Sequence, residues 1–224
     1  MARDREDRVR DIVVIGGSST GLLAASALSG AGRHVTIVER DTFPDKPQPR
    51  PGVPQGRQAH VFLYRGLLAA EELLPGLRED LLGAGAVAVN GGQLLWLSDQ
   101  GWLPNRDAGF ELLSATRPLL EHVLRQRTLA LPHVSALDNT RVTGLARTQR
   151  QWEVLLDDGT RLTADLVVDA SGRGSRLPHW LADHGVTAPP ASVIDAHVGY
   201  ATRIYRDAPA VLADCAGIAV AASP

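Results

Sequence analysis

The chemistry in this chain starts at a glycine-rich hexapeptide. Gly16, Gly17, Ser18 and Gly21 fall within Gly-Gly-Ser-Ser-Thr-Gly, and an acid, Glu39, follows 23 residues after Gly16. Gly16 permits a tight turn that a side chain would obstruct. Gly21 lets the start of a helix press against a strand. The free N–H groups of that helix start offer a positive end to a pyrophosphate. Glu39 is placed to accept hydrogen bonds from a ribose, near the roughly 20-residue interval of dinucleotide sites. One position departs from G-x-G-x-x-G: the middle glycine is replaced by Ser18. Serine is small, and its hydroxyl can itself face a phosphate oxygen. The alternative reading of these residues is an ordinary βαβ turn in some other α/β domain.

The flanking residues supply the elements such a site needs. Ile12 to Ile15 form a β-branched run, a helical pattern of Leu and small residues follows the glycines, and Val35 to Val38 form a second apolar run. Residues 41–58 carry five prolines and read as a long irregular loop; a loop of this length in a compact domain is usually functional or disordered. Helical patterns are predicted from His60 to Leu74 and from Leu77 to Leu82. Within 86–114, residues 93–97 and 101–103 predict a hairpin, with Trp96 and Trp102 as core or cavity lining. A helix capped by Thr116 or Ser114, with Pro118 in its first turn, runs to about Leu131. A strand is predicted at 134–137. Strands at 141–146, 152–156 and 160–164 follow, the last two joined by an Asp158-Gly159 turn. Residues 165–170 are nearly all apolar, as in a parallel strand buried on both faces. A turn at 171–175, a helix at 176–182 and a strand at 194–205 come next, and 208–224 shows no clear pattern. The class is α/β: a Rossmann-like parallel sheet crossed over by an antiparallel meander. The predicted organisation is a disordered lead at 1–10, a nucleotide-binding domain at 11–185 with an insertion around 84–114, and the start of a β-rich substrate domain at 186–224.

Totals narrow the function. At 224 residues and 44% apolar, the chain can build a sizeable core. A net charge of −2, with no basic stripe, speaks against a nucleic-acid partner. Apolar stretches are too short for a membrane span, and the charged opening MARDREDRVRD is no signal peptide. The single cysteine, Cys215, excludes an internal disulfide framework and suits a reducing cytoplasm. The seven histidines do not pair with Cys or acids at ligand spacing, so no metal is expected.

Three motifs resemble those of the FAD-dependent, single-component aromatic hydroxylases that share the para-hydroxybenzoate hydroxylase fold, and more closely bacterial epoxidases and hydroxylases acting on polyketide or terpenoid products. The first is the βαβ unit ending in Glu39-Arg40. The second is Arg117 in SATRPLLEHVLR, similar to a family segment in which an Arg precedes a helix bearing Leu-Glu. The third is DLVVDASGRGSRLPHWL, similar to the family's Asp-Gly motif, although Asp169 and Gly172 are separated by two residues here. RPGVPQG also looks like the loop whose arginine, here Arg50, reaches the flavin diphosphate.

The resemblance implies an FAD-dependent monooxygenase of secondary metabolism. NAD(P)H would reduce the flavin, dioxygen would add to give a flavin hydroperoxide, and one oxygen would pass to a small organic substrate. The implied cofactor contacts are Gly16, Gly17, Ser18, Gly21, Glu39, Arg40, Arg50, Arg117, Asp169 and Gly172. The cofactor carries the chemistry, so no catalytic side chain is assigned. Bland readings stand beside these: Arg50 as a solvated loop residue, Arg117 facing carbonyls of its own helix, Asp169 capping its turn, His60 as a polar helix start rather than a base. With one dinucleotide fingerprint, NAD(P)H visits transiently or a partner reductase supplies electrons. A third family motif, a Gly-Asp pair followed by proline, does not follow residue 175. The expectation is therefore a fragment, or half of a protein completed by another chain. A flavin-dependent isoprenoid-type reductase and a non-catalytic FAD-binding remnant remain alternatives.

Overall fold

The computed structural model describes residues 9–203, 205 and 217–221. Its centre is a parallel sheet. Strand β1 (Asp11–Ile15) lies between β12 (Leu166–Asp169) and β2 (His34–Val38), and β2 pairs on its far side with β8 (Val134–Leu137). The register aligns Ile15 with both Val38 and Asp169, so three strands end in one row. Helix α1 (Ser19–Leu28) begins just beyond that row and returns the chain to β2.

Alternation along β1 explains how both faces are covered. Ile12 and Val14 point into a core shared with Leu22 and Ala25 of α1, Leu67 of α2 (Tyr64–Leu73), and Leu120 and Leu124 of α4 (Arg117–Leu129). Val13 and Ile15 point the other way, into a smaller core with Val154, Leu156, Ala164 and Trp180. Side chains of period two on a strand require this division. The second face is covered by an antiparallel meander of β9 (Val142–Arg147), β10 (Trp152–Leu156) and β11 (Arg161–Ala164), and by α5 (Leu177–Asp183). Small residues on α1 let α4 come close, and Ser26 Oγ meets Thr128 Oγ1 at 3.0 Å.

A second set of strands lies between α1 and α4 in sequence. Strands β3 (Ala59–Phe62) and β4 (Val87–Asn90) flank β7 (Glu111–Thr116) antiparallel, with α2 and α3 (Leu77–Gly83) between β3 and β4 in sequence. Strands β5 (Leu95–Ser98) and β6 (Gly101–Trp102) form the predicted hairpin, and β13 (Ile218–Val220) joins β5 in parallel.

Several expectations are corrected. The helix predicted from His60 begins only at Tyr64, because residues 59–62 pair with β7, a partner distant in sequence. Trp96 and Trp102 are exposed rather than core. Residues 194–203 form no strand, and Ile194 is 96% exposed. Conversely, β13 lies in the tail where no pattern was predicted. Leu166 to Asp169 are half-buried rather than buried on both faces. Residues 1–8 of the predicted lead at 1–10, and Cys215, lie outside the described residues.

Candidate functional site

A cleft opens where β1, β2 and β12 end, the crevice that open α/β sheets use for ligands. Its walls include Gly16, Ser18, Glu39, Arg40, Ala170 and Arg176.

Glycine is required here by geometry. Gly16 has φ +103°, and a Cβ on it would lie 2.5 Å from the Ala170 carbonyl oxygen. A Cβ on Gly21 would lie 1.8 Å from the Gly16 carbonyl oxygen. The turn and the helix start are thus pressed together. Ser18 caps the helix with extended backbone, but its side chain makes no capping bond. The N–H groups of Ser18, Ser19 and Thr20 have no acceptor among the described residues. Ser19 Oγ is buried without a hydrogen-bond partner. A cluster of free donors at a helix N-terminus fits a diphosphate.

Glu39 stands at the end of β2, lining the cleft yet only 5% exposed. Its Oε2 accepts the Gly17 N–H at 2.8 Å and its Oε1 the Asp41 N–H at 2.9 Å. These bonds fix the carboxylate at the cleft wall, where it can accept from ribose hydroxyls. Arg40 lines the same wall with its side chain half exposed. The cleft is also lined by Thr140 to Thr143, Ser171, Gly174, Arg176 and Trp180. The sequence reading did not single these out as site residues, because the sheet and meander bring them together from distant segments.

Behind the cleft lies a buried ionic network. Arg50 reaches Glu39 at 3.0 Å, Asp41 at 3.1 Å and Glu121 at 3.2 Å, and donates to the Gly17 carbonyl at 3.0 Å. Burial disfavours its charge, but Glu39, Glu121 and Asp41 outweigh that and hold the guanidinium above its usual range. Arg50 is therefore a clamp on the proline-rich loop, and it does not line the cleft. Glu121 Oε1 also accepts from Ser18 Oγ and from Arg117 Nη2 at 3.3 Å. Arg117 Nη2 is 3.2 Å from Ser18 Oγ. Arg125 stacks on Phe43, 4.9 Å from the ring centroid, and its pKa is lowered by burial and by Arg50. Sequence reasoning assigned no role to Glu121 or Asp41. The i,i+4 spacing of Arg117 and Glu121 is the signal that marks the former.

Asp169 takes the turn-capping arrangement. It accepts the Ser171 N–H at 2.9 Å and the Ser175 hydroxyl. Gly172, at φ +85°, supplies the left-handed residue of that turn and stands clear of neighbours. His60 lies on β3, in register with Ala115, and burial and the charge of Arg117 lower its pKa. No group of three or more metal-ligating side chains occurs among the described residues, and no helix there is long and apolar enough to cross a membrane.

Comparison with known proteins agrees with this geometry. The profile of a family described as FAD binding domain matches residues 10–182. Protein Rv3254 of Mycobacterium tuberculosis is 37% identical over 210 residues, covering 87% of this chain and 44% of that protein. The rifampicin monooxygenase of Streptomyces venezuelae is 28% identical over 168 residues, covering 75% of this chain and 33% of that protein. This chain thus spans less than half the length of these relatives. Among solved structures, pqsL of Pseudomonas aeruginosa, described as a probable FAD-dependent monooxygenase, superposes with a TM-score of 0.60 at 22% identity over 81% of this chain and 48% of that one. That likeness establishes a shared fold.

Proposed function

This chain belongs to the FAD binding domain family, and from that premise we propose that it is the cofactor-holding part of an FAD-dependent monooxygenase, acting in the cytoplasm on a small organic substrate with NAD(P)H and O₂. One observation carries the reading. Gly16 and Ser18, which lead into the unpaired N–H groups at the start of α1, line one cleft with Glu39 at the ends of three parallel strands. In this proposal the amides of Ser18 to Thr20 hold the diphosphate, and Gly16, Gly17 and Gly21 let the backbone approach it. Glu39 binds the ribose. Arg40, Arg176 and Trp180 border the adenine end. Arg117 adds positive charge beside Ser18, while Arg50, Asp169 and Gly172 shape the loops around the cleft. FAD, when bound, supplies the redox chemistry. The protein residues bind it, orient it and keep water from it.

The relatives' greater length supports a second element of the proposal. The chain works with further polypeptide, in the same or another chain, that completes the substrate cavity; a partner reductase is the other candidate source of electrons. Residues 11–185 form the FAD-binding part, with the strands around 84–114 belonging to the substrate side.

The test has two steps. Titration of the purified chain with FAD, followed by flavin fluorescence and the visible spectrum, should show stoichiometric uptake; a chain that takes up none overturns the reading. With the remaining polypeptide supplied, NAD(P)H oxidation should consume oxygen and yield an oxygenated product. NAD(P)H oxidation that yields only a saturated product would assign the flavin-dependent reductase instead.

A further inference from the structure

The position that breaks the glycine fingerprint has a partner in the fold. Ser18 turns its hydroxyl away from the turn and donates to Glu121 of α4, a residue only 5% exposed. The same carboxylate holds Arg117 through its Oε1, and Arg117 in turn donates to Ser18 Oγ at 3.2 Å. The other oxygen, Oε2, accepts from Arg50 Nε at 3.2 Å, and Arg50 Nη2 donates to the Gly17 carbonyl at 3.0 Å. Gly17 and Ser18, the two residues leading into α1, are therefore both tied to Glu121, one directly and one through Arg50. A glycine at 18 would leave the turn tied to Glu121 only through Gly17 and Arg50.

We propose that Glu121 is a positioning residue for the FAD diphosphate, acting through the Ser18 hydroxyl to hold the amides at the start of α1 in their binding orientation. The inference rests on the FAD-binding reading above. It makes a prediction whose sign is informative. A carboxylate near a diphosphate repels it, so by charge alone the neutral variant E121Q would bind FAD more tightly. Under positioning, E121Q binds it more weakly, because the amides lose their fixed aim. Two cations, Arg50 and Arg117, lie against this carboxylate, so its repulsion is largely offset and positioning dominates.

The test is a double-mutant cycle on the FAD dissociation constant, read by flavin fluorescence in wild type, S18A, E121Q and S18A/E121Q. Each single substitution should weaken FAD roughly tenfold, the scale of one hydrogen bond to a charged group. The double variant should be no weaker than E121Q alone within about twofold, because both substitutions break one link. Penalties that multiply, or an E121Q protein that binds FAD as tightly as wild type or more so, overturn the inference. If E121Q does not fold, S18A decides: it removes the hydroxyl while Glu121 keeps both arginines, and an unchanged affinity overturns the proposal. Wild-type protein that takes up no FAD is a different outcome; it removes the FAD-binding reading and this inference with it.

Discussion

Gly21 has no room for a methyl group, and two opposed effects predict what one would do. Alanine gains about 1 kcal/mol of helix propensity over glycine. Against this, its Cβ would stand 1.8 Å from the Gly16 carbonyl oxygen, a backbone atom that can move only with the turn. Overpacking of this kind costs about 1–3 kcal/mol, so G21A should be destabilised in urea unfolding and should bind FAD more weakly. Gly172 is the control. It has a positive φ but nothing within 4 Å, so G172A should lose only the roughly 1–2 kcal/mol of left-handed strain. Arg50 is a harsher case. R50M leaves Glu39, Asp41 and Glu121 without their shared cation, and breaking a buried pair costs about 3–5 kcal/mol. That loss should appear as a lower urea midpoint without added FAD. His60 sets a pH dependence. Burial and Arg117 hold its pKa below the ordinary 6.5, so the unfolded chain takes up the proton first. The stability this contributes is complete above about pH 6.5 and is lost as pH falls from there through the folded value. Unfolding midpoints measured from pH 8 to pH 5 should decline on the acid side, and H60Q should decline less. His122, lowered by burial and by Arg125, contributes in the same direction and leaves a residual slope.

At the scale of elements, α4 ties the start of α1 to the rest of the fold. Thr116 accepts the Leu119 N–H at 3.3 Å, and Pro118 occupies the first turn. T116A should therefore cost about 1 kcal/mol of stability, seen as a lower urea midpoint. Elements whose signal is local were legible in the sequence. Strand β1, the glycine turn, α1 and β2 were placed by periodicity and spacing, and the meander by its Asp158-Gly159 turn. Strand β3 was not. Ala59 to Phe62 carry no turn signal that separates them from α2, and their strand character comes from pairing with β7, more than fifty positions on. Glu39 was legible because its distance from Gly16 is fixed by one βαβ unit. Arg50 was named from its loop, but its three carboxylate partners come from the residues just after β2 and from α4, and nothing local in sequence joins α4 to that loop. The rest of the cleft lining was missed for the same reason: Thr140 to Thr143 and Trp180 join Glu39 around the cleft only after the meander folds across.

At the scale of the whole molecule, the apolar surface is unevenly shared. The inner face of the β3–β7–β4 sheet packs Phe62, Leu113 and Ala115 into the main core. Its outer face aligns Val61, Ser114 and Val87 in one row, with Val61 46% and Val87 55% exposed. The β5–β6–β13 sheet likewise exposes Trp102, Ile218 and Val220. Exposed apolar rows of this kind mark an interaction face, and β4 to β7 are among the strands we assign to the substrate side. The chain by itself should bind a hydrophobic dye and associate with itself as concentration rises, measured by sedimentation velocity. V61T/V87T should weaken both effects with little change in the unfolding midpoint, because these side chains are already half exposed and support little of the core. Polypeptide matching the relatives' remaining length should suppress them in the unsubstituted chain. Self-association that persists unchanged in V61T/V87T would place the sticky surface elsewhere and leave this sheet face open to solvent in the working protein.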